Sequence, residues 1–152
     1  KQKLLSIIAS AKNSSHGHRL RHEVVQKLRS KMDVYGRDYR PVEFKTEALA
    51  PYMFSIAVEN GRVEAMLTEK LIDCFCTGTV PVYFGCNAIR EFFNPDGIIE
   101  FDSCQELEDT VHLMTPERYD AMRPAIEDNF QRAQQYMISE DWICEHYPFL
   151  FV

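Results

Sequence analysis

Apolar positions along this chain gather into short, nearly unbroken runs, and amphipathic stretches lie between them. Leu4 to Ser10 is the first run, and a short continuous apolar segment is what a parallel strand covered on both faces needs. A polar loop, Ala11 to His18, follows it. From Arg19 to Ser30, Leu20, Val24, Val25 and Leu28 recur at helical spacing between charged residues, which predicts an amphipathic helix. Met32 to Tyr35, ahead of Gly36, predicts a second strand, Thr46 to Tyr52 a short helix, and Met53 to Val58 a third buried strand. Thr68 is placed to cap a helix running to about Cys76. Thr79 to Phe84 predicts a fourth strand, in which Pro81 suggests an edge, an end or a bulge, because proline cannot donate to a ladder.

The alternation persists to the end. Asn87 to Phe93 predicts a helical turn and Gly97 to Phe101 a fifth strand, after which Ser103 and Glu106 form a capping box. Thr115-Pro116 opens another helix with proline at its favoured first position, and Pro124 divides it before a run to about Met137. A last short helix is expected from Ser139. Strands alternating with helices imply an α/β fold, a Rossmann-like doubly wound parallel sheet with right-handed crossovers, whose ligands bind at the carboxyl ends of the strands.

Composition narrows the class. The 152 residues, 45% hydrophobic, suffice for one core, so residues 1–152 are expected to form a single domain with its C-terminal helices from about residue 115. A formal net charge of -6 argues against a broad nucleic-acid or anionic-membrane surface, since such partners are held by positive fields. No apolar run approaches the roughly 18 residues of a membrane span, and Lys1 to Ser10 lacks the apolar core of a signal peptide. Five cysteines without a CxxC pair favour reduced thiols and a cytoplasmic setting, with the Golgi lumen as the alternative in a eukaryote. Asn13-Ser14-Ser15 reads as a chance sequon, since a glycan there would obstruct the first candidate loop.

Two loops concentrate the chemistry. The first, Ala11 to Arg21, gathers cationic and small polar residues before a helix N-terminus in an otherwise acidic chain, which is how an anion site is built. Arg21 is its expected phosphate ligand, a guanidinium fork suiting a diphosphate, and Lys12, His16, His18 and Arg19 are further candidates. The second loop, Val58 to Lys70, also joins a strand to a helix. In its helical first turn Glu69 could take ribose hydroxyls and Lys70 could neutralise phosphate, although both suit helix-end electrostatics equally well. Cys74 and Cys76 lie two apart on a helix and read as packing residues rather than nucleophiles or ligands. Neither an Asp-x-Asp nor a His/Cys cluster with ligand spacing is present, so the sequence requires no divalent metal and supplies no covalent cofactor. Gly-x-Gly-x-x-Gly and Gly-Lys-Ser/Thr signatures are likewise missing, which sets aside dehydrogenases and P-loop NTPases.

The order of residues from Tyr52 to Asn60, then Leu67-Thr68-Glu69-Lys70-Leu71, then Gly78 to Gly85, with Phe93-Asn94-Pro95 after them, resembles the alpha-1,3-fucosyltransferases of glycosyltransferase family 10. The stretch from Arg21 to Leu28 is similar to the family's donor-binding Arg and its helix, and the likeness covers roughly residues 3 to 102. Two positions depart from the pattern: Val58 stands for a Phe, and Met66 for an aromatic that contacts the donor. The resemblance implies the Rossmann-like C-terminal half of a two-domain GT-B enzyme that binds the nucleotide sugar GDP-fucose. It implies Arg21 and Lys70 on the diphosphate, Glu69 on the ribose and Asn60 lining the pocket; Glu59, next to Asn60, and Lys12 of the first loop are counted with them as donor-binding candidates. It further implies inverting transfer of fucose to a glycan acceptor, with the acceptor and the general base held by an N-terminal domain outside this chain. A related transferase with another donor, or a noncatalytic nucleotide-binding domain, is the alternative.

Overall fold

A computed structural model of the chain describes residues 1–64 and 67–136, together with residues 146, 147 and 149. Met66, Trp142 and the helix expected from Ser139 therefore lie outside the described residues. Five strands form one parallel sheet: β1 (Lys3–Ile8), β2 (Asp33–Tyr35), β3 (Tyr52–Val58), β4 (Val80–Phe84) and β5 (Ile99–Glu100), in the spatial order β2-β1-β3-β4-β5. Between and after them run α1 (His16–Leu28), α2 (Thr46–Leu49), α3 (Glu69–Cys76), α4 (Ile89–Phe92), α5 (Cys104–Thr110), α6 (Pro116–Ala121) and α7 (Arg123–Gln134). The expected doubly wound α/β architecture is what the chain adopts.

Both faces of the sheet are covered, which is why its strands read as unbroken apolar runs. On one face Leu20, Val24 and Leu28 of α1 pack with Leu107 of α5 and Tyr119 of α6 against Leu5, Ile7, Phe54 and Val82. On the other, Leu71, Cys74 and Phe75 of α3 pack with Ile89 of α4, Phe93 just after it and Ala133 of α7 against Ala57 and Tyr83. Burying one such large side chain removes it from water at a gain of about 1.5–3 kcal/mol.

Two expectations about boundaries are corrected, and the place of Pro81 is settled. Helix α1 begins at His16, not Arg19, because Ser15 caps it and the His18 ring accepts a hydrogen bond from the Ser15 N–H, closing the box that Glu or Gln usually closes. Helix α2 stops at Leu49, and Tyr52 belongs to β3, where it pairs with Lys3. Strand β4 is internal, with Pro81 opposite Ser55 of β3, so of the edge, end or bulge that Pro81 suggested, its place is near the strand's start, second in β4. Its tolerance has a local cause. The Tyr83 carbonyl faces β5, where it accepts from the Phe101 N–H, so backbone alternation turns Pro81 to that same side. Pairing with β5 begins only at Val82, so no ladder bond is lost there.

Phe54 is fully buried at the middle of the sheet and meets Tyr119 edge-on at a centroid distance of 6.0 Å. Phe54→Ala is expected to lower unfolding free energy by about 3–5 kcal/mol, read as a shift in urea midpoint.

Candidate functional site

The chain leaves β1 toward β2 on one side and reaches β3 on the other, so the strand order reverses between β1 and β3. Carboxyl ends that part in this way leave a crevice, the usual ligand position in an open α/β sheet. A cavity of about 180 Å³ lies there, lined by Ile8 to Ser10 from β1 and its following turn, by Ile56 to Val58 of β3, and by Glu69, Lys70 and Asp73 of α3. Arg21 of α1 and Lys45, just ahead of α2, complete its polar wall.

Glu59, the residue after β3, holds the two candidate loops together. Its side chain is almost wholly buried, at 1% exposure, yet it is paired on both oxygens. The Thr68 hydroxyl donates to Oε1 at 2.6 Å and the Lys70 ammonium to Oε2 at 3.2 Å. Thr68 also caps α3 by accepting from the Lys70 N–H, so one hydroxyl both starts the helix and grips the carboxylate. Such pairing is what makes a buried carboxylate tolerable. Backbone fixes Glu59 as well, its N–H donating to the Phe84 carbonyl at 2.8 Å.

Glycines let the chain close around this residue. The Gly17 N–H donates to the Asn60 carbonyl at 3.0 Å, and a Cβ on Gly17 would lie 1.7 Å from the Glu59 carbonyl oxygen. A Cβ on Gly85 would meet the Tyr83 hydroxyl at 2.2 Å and the Glu59 Cγ at 2.7 Å. The first turn of α1 therefore lies directly on the turn after β3, with no room for a side chain.

Of the residues expected from sequence, Arg21, Glu69 and Lys70 meet at the cavity. Arg21 is buried and donates through Nη2 to the Val58 carbonyl at 2.5 Å, which fixes one limb of its fork. Burial pushes its pKa down, with Glu59 and Glu69 acting against the shift, and a guanidinium stays charged under such pressure. Burial acts against the charge on Glu69 too, but the Lys70 ammonium, the helix's own amide and Lys45 outweigh it and hold the carboxyl below its usual range. Lys70 touches Glu59, Thr68 and Glu69 within 3.4 Å.

The other candidates are placed differently. Glu59 stands behind Lys70 and orients it. Asn60 and Lys12 are exposed and do not line the cavity, and each offers its backbone carbonyl, Asn60 to Gly17 and Lys12 to the His22 ring. His16 is exposed beside Phe84, with ring centroids 5.6 Å apart, and Arg19 is exposed on α1. His18 is buried as the cap partner of Ser15, and burial, with Arg21, Lys12, His22 and Lys70 nearby, lowers its pKa. Sequence reasoning passed over Lys45 and Asp73. Asp73 stands one turn from Glu69 and was findable by its i,i+4 spacing, whereas Lys45 arrives from a distant segment and carried no local signal. Cys74, on the cavity wall, is buried, which raises its thiol pKa to about 12 and fits packing rather than nucleophilic chemistry. Among the described residues no group of three or more His, Cys, Asp or Glu side chains could hold a metal ion, and no helix is long and apolar enough to cross a membrane.

A five-stranded parallel sheet with this crevice defines a Rossmann-like domain of the GT-B type, and solved structures agree. One described as an alpha1,3-fucosyltransferase matches 82% of this chain with a TM-score of 0.66 and 28% identity, the match covering 38% of that chain. Another, described as an alpha1,3-fucosyltransferase with GDP-fucose, matches 81% with a TM-score of 0.65 and 27% identity, again over 38% of its own length. The family model for glycosyltransferase family 10 (fucosyltransferase), C-terminal part, matches residues 1–145, and the chain belongs to that family. Among curated relatives, an alpha-(1,4)-fucosyltransferase of Arabidopsis thaliana is 41% identical over 63 residues, 40% of this chain and 16% of that protein. The alpha-(1,3)-fucosyltransferase FucT of Helicobacter pylori is 29% identical over 70 residues, 46% of this chain and 15% of its own. The chain thus spans a minor part of the relatives it matches.

Two outcomes test this geometry. Gly17→Ala should destabilise the chain by about 1–3 kcal/mol or more, since backbone on both sides must shift, and thermal unfolding will read it. His18 caps in its neutral form and its folded pKa lies below the ordinary value of about 6.5, so the unfolded chain binds the proton first on acidification. Stability should be fully present above pH 6.5 and fall as pH drops below it. His18→Gln, which keeps a capping side chain, should flatten that fall in urea titrations at pH 7.5 and 5.5.

Proposed function

We propose that this chain is the donor-binding domain of a fucosyltransferase, holding GDP-fucose with its diphosphate between Arg21 and Lys70 and its ribose at Glu69. One observation carries the reading most strongly: two cations from different loops, Arg21 and Lys70, line one cavity at the strand-order reversal, with the Glu69 carboxylate beside them. Membership of the family and the likeness to a structure described as containing GDP-fucose support the choice of donor.

In the proposed reaction an acceptor hydroxyl attacks the anomeric carbon from the face opposite the nucleotide, inverting that centre as the bond to the diphosphate breaks. Negative charge grows on the departing diphosphate. Arg21, fixed by the Val58 carbonyl, and Lys70, fixed by Glu59 and Thr68, are oriented before any ligand enters, and preorganised cations stabilise developing charge without reorganising. This assigns charge neutralisation to the chain's own side chains. The glycan acceptor and the general base are proposed to belong to a region outside these residues, since the chain covers less than half of each fucosyltransferase structure named above.

Calorimetric titration of the chain with GDP, GDP-fucose, GDP-mannose, UDP-glucose and ATP tests the reading. GDP and GDP-fucose should bind in preference to UDP-glucose and ATP, and Arg21→Ala and Lys70→Ala should each weaken binding by about 1.5–3 kcal/mol. Tighter binding of UDP-glucose or ATP, or indifference to both substitutions, would count against it.

A further inference from the structure

The polar wall of the cavity does not end at Glu69. From the buried Glu59 carboxylate a line of alternating charges runs along it: Glu59 to Lys70 at 3.2 Å, Lys70 to Glu69 at 3.4 Å, Glu69 to Lys45 at 3.8 Å and Lys45 to Asp73 at 2.8 Å. Asp73 follows Glu69 by four residues, so both point from the same face of α3. The cations at the inner end suit phosphate and the first carboxylate suits a ribose. One turn further from the phosphates stands a carboxylate beside an ammonium, with apolar Ile8, Leu49 and Ala57 also on the cavity lining. Such a place fits the flat face and the polar edge of a nucleobase.

Resting on the donor-site reading above, we infer that Asp73 and Lys45 select the base, and that the base they select is guanine. The Watson–Crick edge of guanine carries an acceptor, O6, followed by two donors, the N1–H and the 2-amino group. An ammonium donates to O6 while the neighbouring carboxylate accepts from N1–H and the amino group with its two oxygens. Adenine presents a donor to the ammonium and a lone pair to the carboxylate, so it is mismatched at both places. Uracil offers one N–H but sets a carbonyl where guanine has its amino group. Neither Asp73 nor Lys45 has to abandon the other, because a carboxylate has about four acceptor sites and an ammonium three donors. Their side chains are 33% and 50% exposed, so both remain accessible to a ligand.

The test uses diphosphates that differ only in the base, with inorganic pyrophosphate as the probe of the phosphate end. The chain should bind GDP at least about tenfold tighter than inosine diphosphate, which lacks the amino group, in line with one charged hydrogen bond. Asp73→Asn, of nearly unchanged size, should bring that ratio to within about threefold and gain about tenfold for xanthosine diphosphate, whose 2-carbonyl accepts from the new amide. Its affinity for pyrophosphate should equal that of the unaltered chain, which shows that the fold and the phosphate end are intact. If Asp73→Asn keeps the GDP to inosine diphosphate ratio and gains nothing for xanthosine diphosphate, the inference is overturned while the donor site stands. If the unaltered chain binds none of these diphosphates, the donor-site reading itself fails, and the base assignment with it.

Discussion

A carboxylate almost without access to water, Glu59, is gripped by the Thr68 hydroxyl and the Lys70 ammonium, and the arrangement of the site depends on that grip. An unpaired charge so placed would be intolerable, so the pairing fixes where α3 begins relative to β3. Thr68 holds Glu59 from the cap of α3, and Lys70 reaches Glu59 from a place on the cavity wall. Stability and preorganisation therefore have one cause here. The interaction that makes the buried charge bearable also orients the cation assigned to the diphosphate.

Steric closeness transmits this order to the rest of the crevice. Gly17 brings the first turn of α1 onto the Glu59–Asn60 backbone, and Arg21, one turn along, then lies where its guanidinium meets the Val58 carbonyl. Gly85 does the same from β4, admitting the Glu59 side chain beside the Tyr83 hydroxyl. The first turn of α1 and the end of β4 thus both close on the residue that follows β3.

Much of the fold was legible because its signals are local. The apolar runs of β1, β3 and β4 could be read as strands because a sheet covered on both faces leaves no polar alternation to confuse them. Arg21 could be picked out because it follows a loop rich in cations in an acidic chain, and Glu69 and Lys70 because they stand in the first turn of a helix, where the resemblance to the family added to a signal that helix-end electrostatics would explain equally well. What escaped the sequence was non-local or unusual in its chemistry. An imidazole in place of Glu in the cap moved the start of α1 by three residues, and what lets Pro81 sit in an internal strand, the short reach of β5, is invisible in β4's own residues. The closeness demanded at Gly17 and Gly85 has no sequence signature at all. Lys45 reaches the cavity only because the crossover from β2 to β3 passes over it, a fact of topology and not of spacing.

Residue-resolved amide NMR during titration with GDP tests the central claim most directly, namely that the crevice organised by Glu59 between β1 and β3 is where a nucleoside diphosphate binds. The largest shifts should fall on Ala9 and Ser10, on Arg21, on Val58 and Glu59, and on Glu69 and Lys70. Shifts concentrated instead on the open surface between Asn94 and Ala125, or spread evenly with no focus at the carboxyl ends of β1 and β3, would contradict it.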